Sequence, residues 1–163
     1  MMWKRYCAVL AILAICGVQM TEAGLADDKA AVRAAVDRWF VVLNAMLNGD
    51  PEPLAGLYSH GDDVTYMGAE GTYRTGWAAT YADWKTQAEK AKGGKVEGSE
   101  IQVVVMGDMA AAQHYTEGRI AGADGKTKDT KIRESSVFRK EDGKWKMISH
   151  HADSFPLWEK VVE

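Results

Sequence analysis

The chain has 163 residues, 47% of them apolar and 26% charged, with 20 basic against 23 acidic side chains and a formal net charge of −3. That is the composition of one globular domain with enough apolar material to bury a core. Charges of both signs are spread along the chain, which excludes the basic footprint of a nucleic-acid or anionic-membrane binder.

Residues 1–23 differ from the rest. Lys4 and Arg5 precede an unbroken apolar run from Cys7 to Val18, and a polar stretch then leads to Thr21-Glu22-Ala23. This is the order of a secretory signal peptide. The run is shorter than the roughly 20 residues a helix needs to cross a bilayer, which disfavours the alternative of an uncleaved anchor. A lipoprotein site at Cys16 is disfavoured by the bulky Ile15 before it. Cleavage is expected after Ala23 or Ala26, leaving one domain over residues 24–163, periplasmic or secreted, without membrane contact thereafter. Both cysteines, Cys7 and Cys16, fall inside the leader, so the mature chain carries no disulfide and no thiol ligand.

From Asp28 to Asn48 the apolar positions Val32, Val36, Trp39, Phe40, Leu43 and Leu47 recur at three- and four-residue intervals, which predicts an amphipathic helix ended by Gly49. Asp50-Pro51 reads as the cap and first position of a short second helix through Leu54, Leu57 and Tyr58. Asp63 to Met67 reads as a strand, Gly68 to Gly76 as a turn-rich crossing, and Trp77 to Lys92 as a third helix ended by Gly93-Gly94. The period then changes. Val96–Met106, Met109–Ala121, Lys128–Lys140 and Lys144–Ala152 are strand-like runs separated by Gly107-Asp108, Asp124-Gly125 and Asp142-Gly143, three hairpin signals in succession. Helices followed by an antiparallel meander make an α+β domain whose sheet must curl around the helices to bury both apolar faces.

The helix end Leu47-Asn48-Gly49-Asp50, the segment Leu57-Tyr58-Ser59, the stretch Asp62-Asp63-Val64-Thr65-Tyr66-Met67-Gly68 and the closing run Val137 to Ile148 with His151 nearby together resemble SnoaL-like and ketosteroid-isomerase-like proteins of the nuclear transport factor 2-like superfamily. The resemblance covers Asp28 to Pro156. It implies a cone-shaped curved antiparallel sheet packed on N-terminal helices, the cystatin-like α+β barrel. It also implies a homodimer formed through the outer face of the meander. Within the superfamily fold does not choose function. The ketosteroid isomerases use a tyrosine on the first helix, an aspartate base after the first strand and a neutral aspartic acid on a late strand. The matching positions here hold Val42, Gly68 and Ser136, and Met67 and Ala69 flank the base position, so that mechanism is disfavoured.

The family pattern after the closing Trp145 has histidine at the fourth and sixth following positions, here Ser149 and His151, so only His151 matches. Strand alternation places Trp145, Met147, Ser149, His151 and Asp153 on one face and Lys146, Ile148, His150 and Ser154 on the other. His151 is therefore the candidate catalytic base, with Asp153 to orient it; the competing reading is a structural hydrogen bond at a sheet end. His150 and His151 point to opposite faces, so no metal site is expected, and no cofactor is implied. Of Arg133 and Glu134, and of His114 and Arg119, one member each should face inward, where an unpaired charge would be very costly. Trp39, Tyr66, Tyr81 and Trp84, with His114 and Glu134, are the candidate ligand-binding residues, because amphipathic rings suit a cavity that orients a small ligand. Two functions remain open. One is binding of a small apolar or amphipathic molecule in the cone cavity. The other is cofactor-free acid–base chemistry of isomerase, cyclase or dehydratase type, with His151 as base and Tyr66 or His114 as donor.

Overall fold

The computed structural model describes residues 22–122 and 124–154. The expected leader, apart from its last residues, lies outside them. Three helices and six strands follow in the order α1 (Glu22–Leu47), α2 (Leu54–Leu57), β1 (Thr65–Met67), β2 (Tyr73–Thr75), α3 (Trp77–Lys90), β3 (Gly94–Met106), β4 (Met109–Ala121), β5 (Thr127–Glu141) and β6 (Lys144–Ser154). The strands form one sheet in the order β2-β1-β6-β5-β4-β3. The meander β3 to β6 is antiparallel as expected, but β1 pairs with β6 in parallel, so the sheet is mixed. The crossing also contains β2, which hairpins onto β1. The second helix starts later than its expected cap, at Leu54; Asp50 instead accepts the backbone N–H of Glu52 in the preceding turn. Among the described residues no helix is long and apolar enough to cross a membrane.

Helix α1 lies across the concave face of the sheet and supplies much of the core through Val32, Val36, Trp39, Phe40 and Leu43. Opposite it, β4 presents the small residues Ala110 and Ala112, and β5 and β6 present Phe138 and Met147, all fully buried. Alternating small and large side chains across the interface lets the helix settle at close-packed distance. The edge strand β3 is tied to α1 by polar side chains. Asn44 accepts the Val96 N–H at 2.8 Å and donates to the Val96 carbonyl at 2.8 Å, while Asn48 donates to Gly94. These bonds occupy backbone groups that a free edge would expose. α1 ends at Gly49, whose φ of +93° is the left-handed conformation of a helix C-cap.

Two irregularities shape the sheet. Between Ser99 and Gln102 the pairing of β3 with β4 slips. Between Val137 and Phe138 the pairing of β5 with β6 slips as well: Phe138 opposes Met147 and Val137 opposes Ser149, leaving Ile148 as an extra residue. A bulge of this kind reverses the in/out parity beyond it. Trp145 and Met147 point to the core before it, and His150 and Ala152 after it, while His151 is exposed. The expected shared face of Trp145, Met147, His151 and Asp153 is thus corrected.

Gly98, on the inner face of β3, lies directly under the Phe40 ring, and a Cβ there would come within 2.1 Å of it. Gly98→Ala should therefore destabilise the domain by roughly 1–3 kcal/mol, as overpacking of a dense core does. Chemical denaturation checks this, and an unchanged midpoint would contradict the packing described.

Candidate functional site

The site grows from one helix position and one strand position. Trp39, buried on α1, donates its indole N–H to Glu134 Oε2 at 2.8 Å, and Glu134 projects inward from β5. Arg133, its neighbour in sequence, points outward, where Asp153 accepts a bidentate pair of bonds from it at 2.9 and 3.0 Å. His114 from β4 stands 3.6 Å from the same Glu134 oxygen and edge-on to Phe40, with neither ring nitrogen in a hydrogen bond of good geometry. His150 from β6 is held through Nδ1 by the Ser136 hydroxyl at 3.0 Å, which leaves Nε2 as its remaining polar atom. Its ring lies 4.5 Å from Trp39. Trp84 of α3 meets Trp39 at 5.7 Å and 67° and Tyr66 at 4.5 Å and 39°, so the rings form angled walls rather than a stack.

These walls enclose a cavity of about 120 Å³ lined by Trp39, Tyr66, Trp84, Thr116, Glu134 and His150, with apolar contributions from α1 and from Ile120, Ile132 and Ala152. Its mouth lies between the end of α1, α3 and the turn after β1, where Ala69 and Glu70 complete the lining. There Gln87 Nε2 donates to the Tyr66 hydroxyl at 2.9 Å and to Asp83 at 2.8 Å, and lies 3.3 Å from Glu70. Arg74 is paired with Asp83 at 2.8 Å.

Burial dominates the acid–base behaviour. It pushes the Glu134 carboxyl up to about 7, opposed by the hydrogen bond from Trp39. It drives the His150 imidazole down to about 3, helped by the nearby His114 and His151, and His114 down to about 4. Both imidazoles are thus neutral at pH 7. The Tyr66 phenol is raised by burial, which keeps it a hydrogen-bond donor.

Of the residues singled out in the sequence, Trp39, Tyr66, Trp84 and Glu134 converge on this cavity. His114 packs behind Glu134 and does not line it. Tyr81 does not line it either: it stacks on Trp77 at 4.8 Å with Lys85 over its ring. His151 and Asp153 lie on the outer face of the sheet, in an open groove of about 340 Å³ whose lining also includes His114 and Glu134, so four of the expected site residues border it, beside Gln102 and Tyr115. Asp153 serves Arg133 there rather than His151. Strand alternation missed His150 because nothing in the run Trp145 to Asp153 marks Ile148 as the residue that bulges. Among the described residues no three His, Cys, Asp or Glu side chains gather as a metal site.

Residues 32–157 match the family model of the SnoaL-like domain. The chain belongs to that family. No curated protein sequence matches it. Solved structures confirm the nuclear transport factor 2-like fold. A protein of the nuclear transport factor 2-like family from Streptomyces avermitilis, proposed to be a dehydratase, superposes with a TM-score of 0.71 at 21% identity, over 80% of this chain and 98% of that one. A superfamily member from Salmonella enterica gives 0.71 at 17% identity over 82% and 94%. The association domain of C. elegans CaMKII gives 0.61 at 18% identity over 78% and 99%. In this SnoaL-like chain the three positions used by ketosteroid isomerases are filled differently: Val42 is core, Gly68 begins the β1–β2 turn, and Ser136 positions His150.

The raised Glu134 value has a thermodynamic sign. Its folded-state value lies above the unfolded one, so its contribution to stability is fully present below about 4.5 and is lost as pH rises through about 7. Glu134→Gln keeps an acceptor for Trp39 but cannot ionise. Relative to the unaltered protein, it should be more stabilising at pH 8.5 than at pH 5.5 by roughly 2 kcal/mol, the part of the shift that falls in that window. Thermal unfolding at the two pH values measures this; an equal effect at both would show that Glu134 is not buried as described.

Proposed function

We propose that this SnoaL-like protein is an exported module that binds a small, largely apolar molecule in the cavity under α1, with its polar end at Glu134 and His150. The observation that carries the proposal is a carboxyl and an imidazole, both buried, lining an aromatic cavity. A volume of about 120 Å³ suits a single ring or a short branched chain, since a dry cavity of roughly 150 Å³ accepts benzene. The remainder of a longer ligand would extend through the mouth past Glu70 and Gln87.

One-ring compounds should quench or shift the emission of Trp39 and Trp84. Ala152→Leu, which fills the cavity beside His150, should weaken that binding by about ten-fold or more, the equivalent of ~1.4 kcal/mol. His151→Ala, on the outer face, should leave it unchanged. No binding by any one-ring compound at millimolar concentration would overturn the proposal.

A catalytic reading is favoured by one feature, a carboxyl poised near neutrality beside a neutral imidazole. Glu134 is then the general base or acid and Tyr66 the hydrogen-bond donor. Glu134→Gln would lower turnover by the roughly 10²–10⁴ typical of such groups.

Export and pairing through the outer sheet face complete the proposal, the first supported by the residue order of 1–23, the second by the family resemblance and the exposed Val104 and Met106 on that face. Amino-terminal sequencing should find the mature chain beginning near Gly24 or Asp27 outside the cytoplasm. Sedimentation should show a dimer at micromolar concentration; an intact Met1 in the exported pool, or monomer alone, would refute the respective part.

A further inference from the structure

The cavity's lining has a charge pattern that restricts its ligand further, and this inference rests on the binding reading above. Two carboxyl groups face the space, Glu134 at its base and Glu70 at its rim, and among the described residues no lysine or arginine lines it. Of the cations near the mouth, Arg74 is paired with Asp83, and Lys90 stands exposed to solvent at the outer end of the entrance groove, outside the cavity lining. Three rings, Trp39, Tyr66 and Trp84, supply the walls at mutual angles of 39° and 67°, presenting π-faces in different directions.

The hydrogen-bonding groups at the base are mainly acceptors, while the Tyr66 hydroxyl and the Trp84 indole N–H are donors on the walls. The indole N–H of Trp39 is spent on Glu134, and the amide N–H groups of Gln87 on Tyr66 and Asp83. What accepts from a ligand at the base is the Glu134 carboxylate, the Nε2 of His150 in the tautomer that donates Nδ1–H to Ser136, and the lone pairs of the buried Thr116 hydroxyl, which lies beside Glu134. Three acceptors beside three π-faces match an ammonium group, whose three N–H bonds all donate and whose charge is attracted to aromatic faces. A carboxylate ligand would meet Glu134 and Glu70 with no cation in the lining to compensate, which disfavours it. A neutral alcohol would leave buried acceptors unused.

We propose that the cavity selects a small organic cation: a primary ammonium carried on a single ring or a short apolar chain, its nitrogen at Glu134 and its apolar part between Trp39, Tyr66 and Trp84. Binding then ionises Glu134 and releases its proton. The other titratable groups facing it, His114 from β4, His150 from β6 and Tyr66 from β1, stay neutral.

The test compares three probes of one shape on the whole exported chain: benzylamine, benzyl alcohol and benzoate, titrated calorimetrically at about pH 8. Benzylamine is expected to bind about ten-fold or more tighter than benzyl alcohol, the worth of one desolvated cation–π contact with its ion pair, and benzoate weakest. Glu134→Gln should abolish the preference for the amine while retaining the alcohol, and Glu70→Gln should reduce it only a few-fold, as a rim charge does. Should Glu134→Gln fail to fold, titration of the unaltered protein in two buffers of different ionisation enthalpy at pH 7 supplies the readout. Benzylamine should release a fraction of a proton and benzyl alcohol none. Equal or tighter binding of the alcohol or of benzoate overturns the charge preference and leaves the binding reading standing. No binding by any of the three overturns both.

Discussion

The hydrogen bond from the Trp39 indole to Glu134 joins α1 to the middle of the sheet across 95 residues of sequence, and the site depends on it. A carboxyl that has left water needs a donor, and Trp39 is the one the fold provides. The same bond fixes the indole plane. That plane sets the ring's contacts with His150 and with Trp84, so one interaction orients the base and two walls of the cavity. It also explains why Glu134 is raised only to about 7 despite near-complete burial. His114, 3.6 Å away and itself driven neutral, adds no positive charge to hold the carboxyl lower.

The second constraint is the extra residue Ile148 in β6. A continuous sheet that curls around a helix must bend its strands, and bulges are where bending is concentrated. Here the bend has a chemical consequence. Without it His151 would face the core and His150 the solvent; with it His150 meets Ser136 and the cavity, and His151 joins the outer groove. Bulges next to functional sites commonly re-aim a side chain in this way.

Much of the architecture was legible in the sequence because it follows from periodicity. The spacing of Val32, Val36, Trp39, Phe40 and Leu43 yields α1, and the three turn dipeptides yield the meander. β2 escaped notice because Tyr73-Arg74-Thr75 is three residues long and exposed or half-exposed, so no apolar alternation marks it. The parallel pairing of β1 with β6 is a long-range choice that local pattern does not encode. At the site, the inward direction of one member in each of the pairs Arg133/Glu134 and His114/Arg119 followed from parity alone. His150 did not, since parity fails at a bulge. Tyr81 failed for another reason: helical spacing groups it with Trp77 and Trp84, but its ring packs at the edge of the core, stacked on Trp77 with Lys85 over it, away from the cavity.

The departures from the isomerase pattern fit together physically. With no side chain at Gly68, space opens that the Glu70 carboxylate occupies, since a Cβ at Gly68 would overlap it. A carboxylate therefore still reaches this end of the cavity, but from the rim of a turn and anchored to Thr72 and Gln87 rather than from a strand aimed at a substrate carbon. At the other end Ser136 replaces an acidic donor and serves His150 instead. Proton abstraction beside a carbonyl needs a base near the reacting carbon and donors near the oxygen. This lining offers mainly acceptors at the base and a carboxylate at the mouth, with the Tyr66 hydroxyl a donor on its wall. On the proposal made above, a scaffold shared with isomerases would hold positive charge rather than stabilise a developing oxyanion.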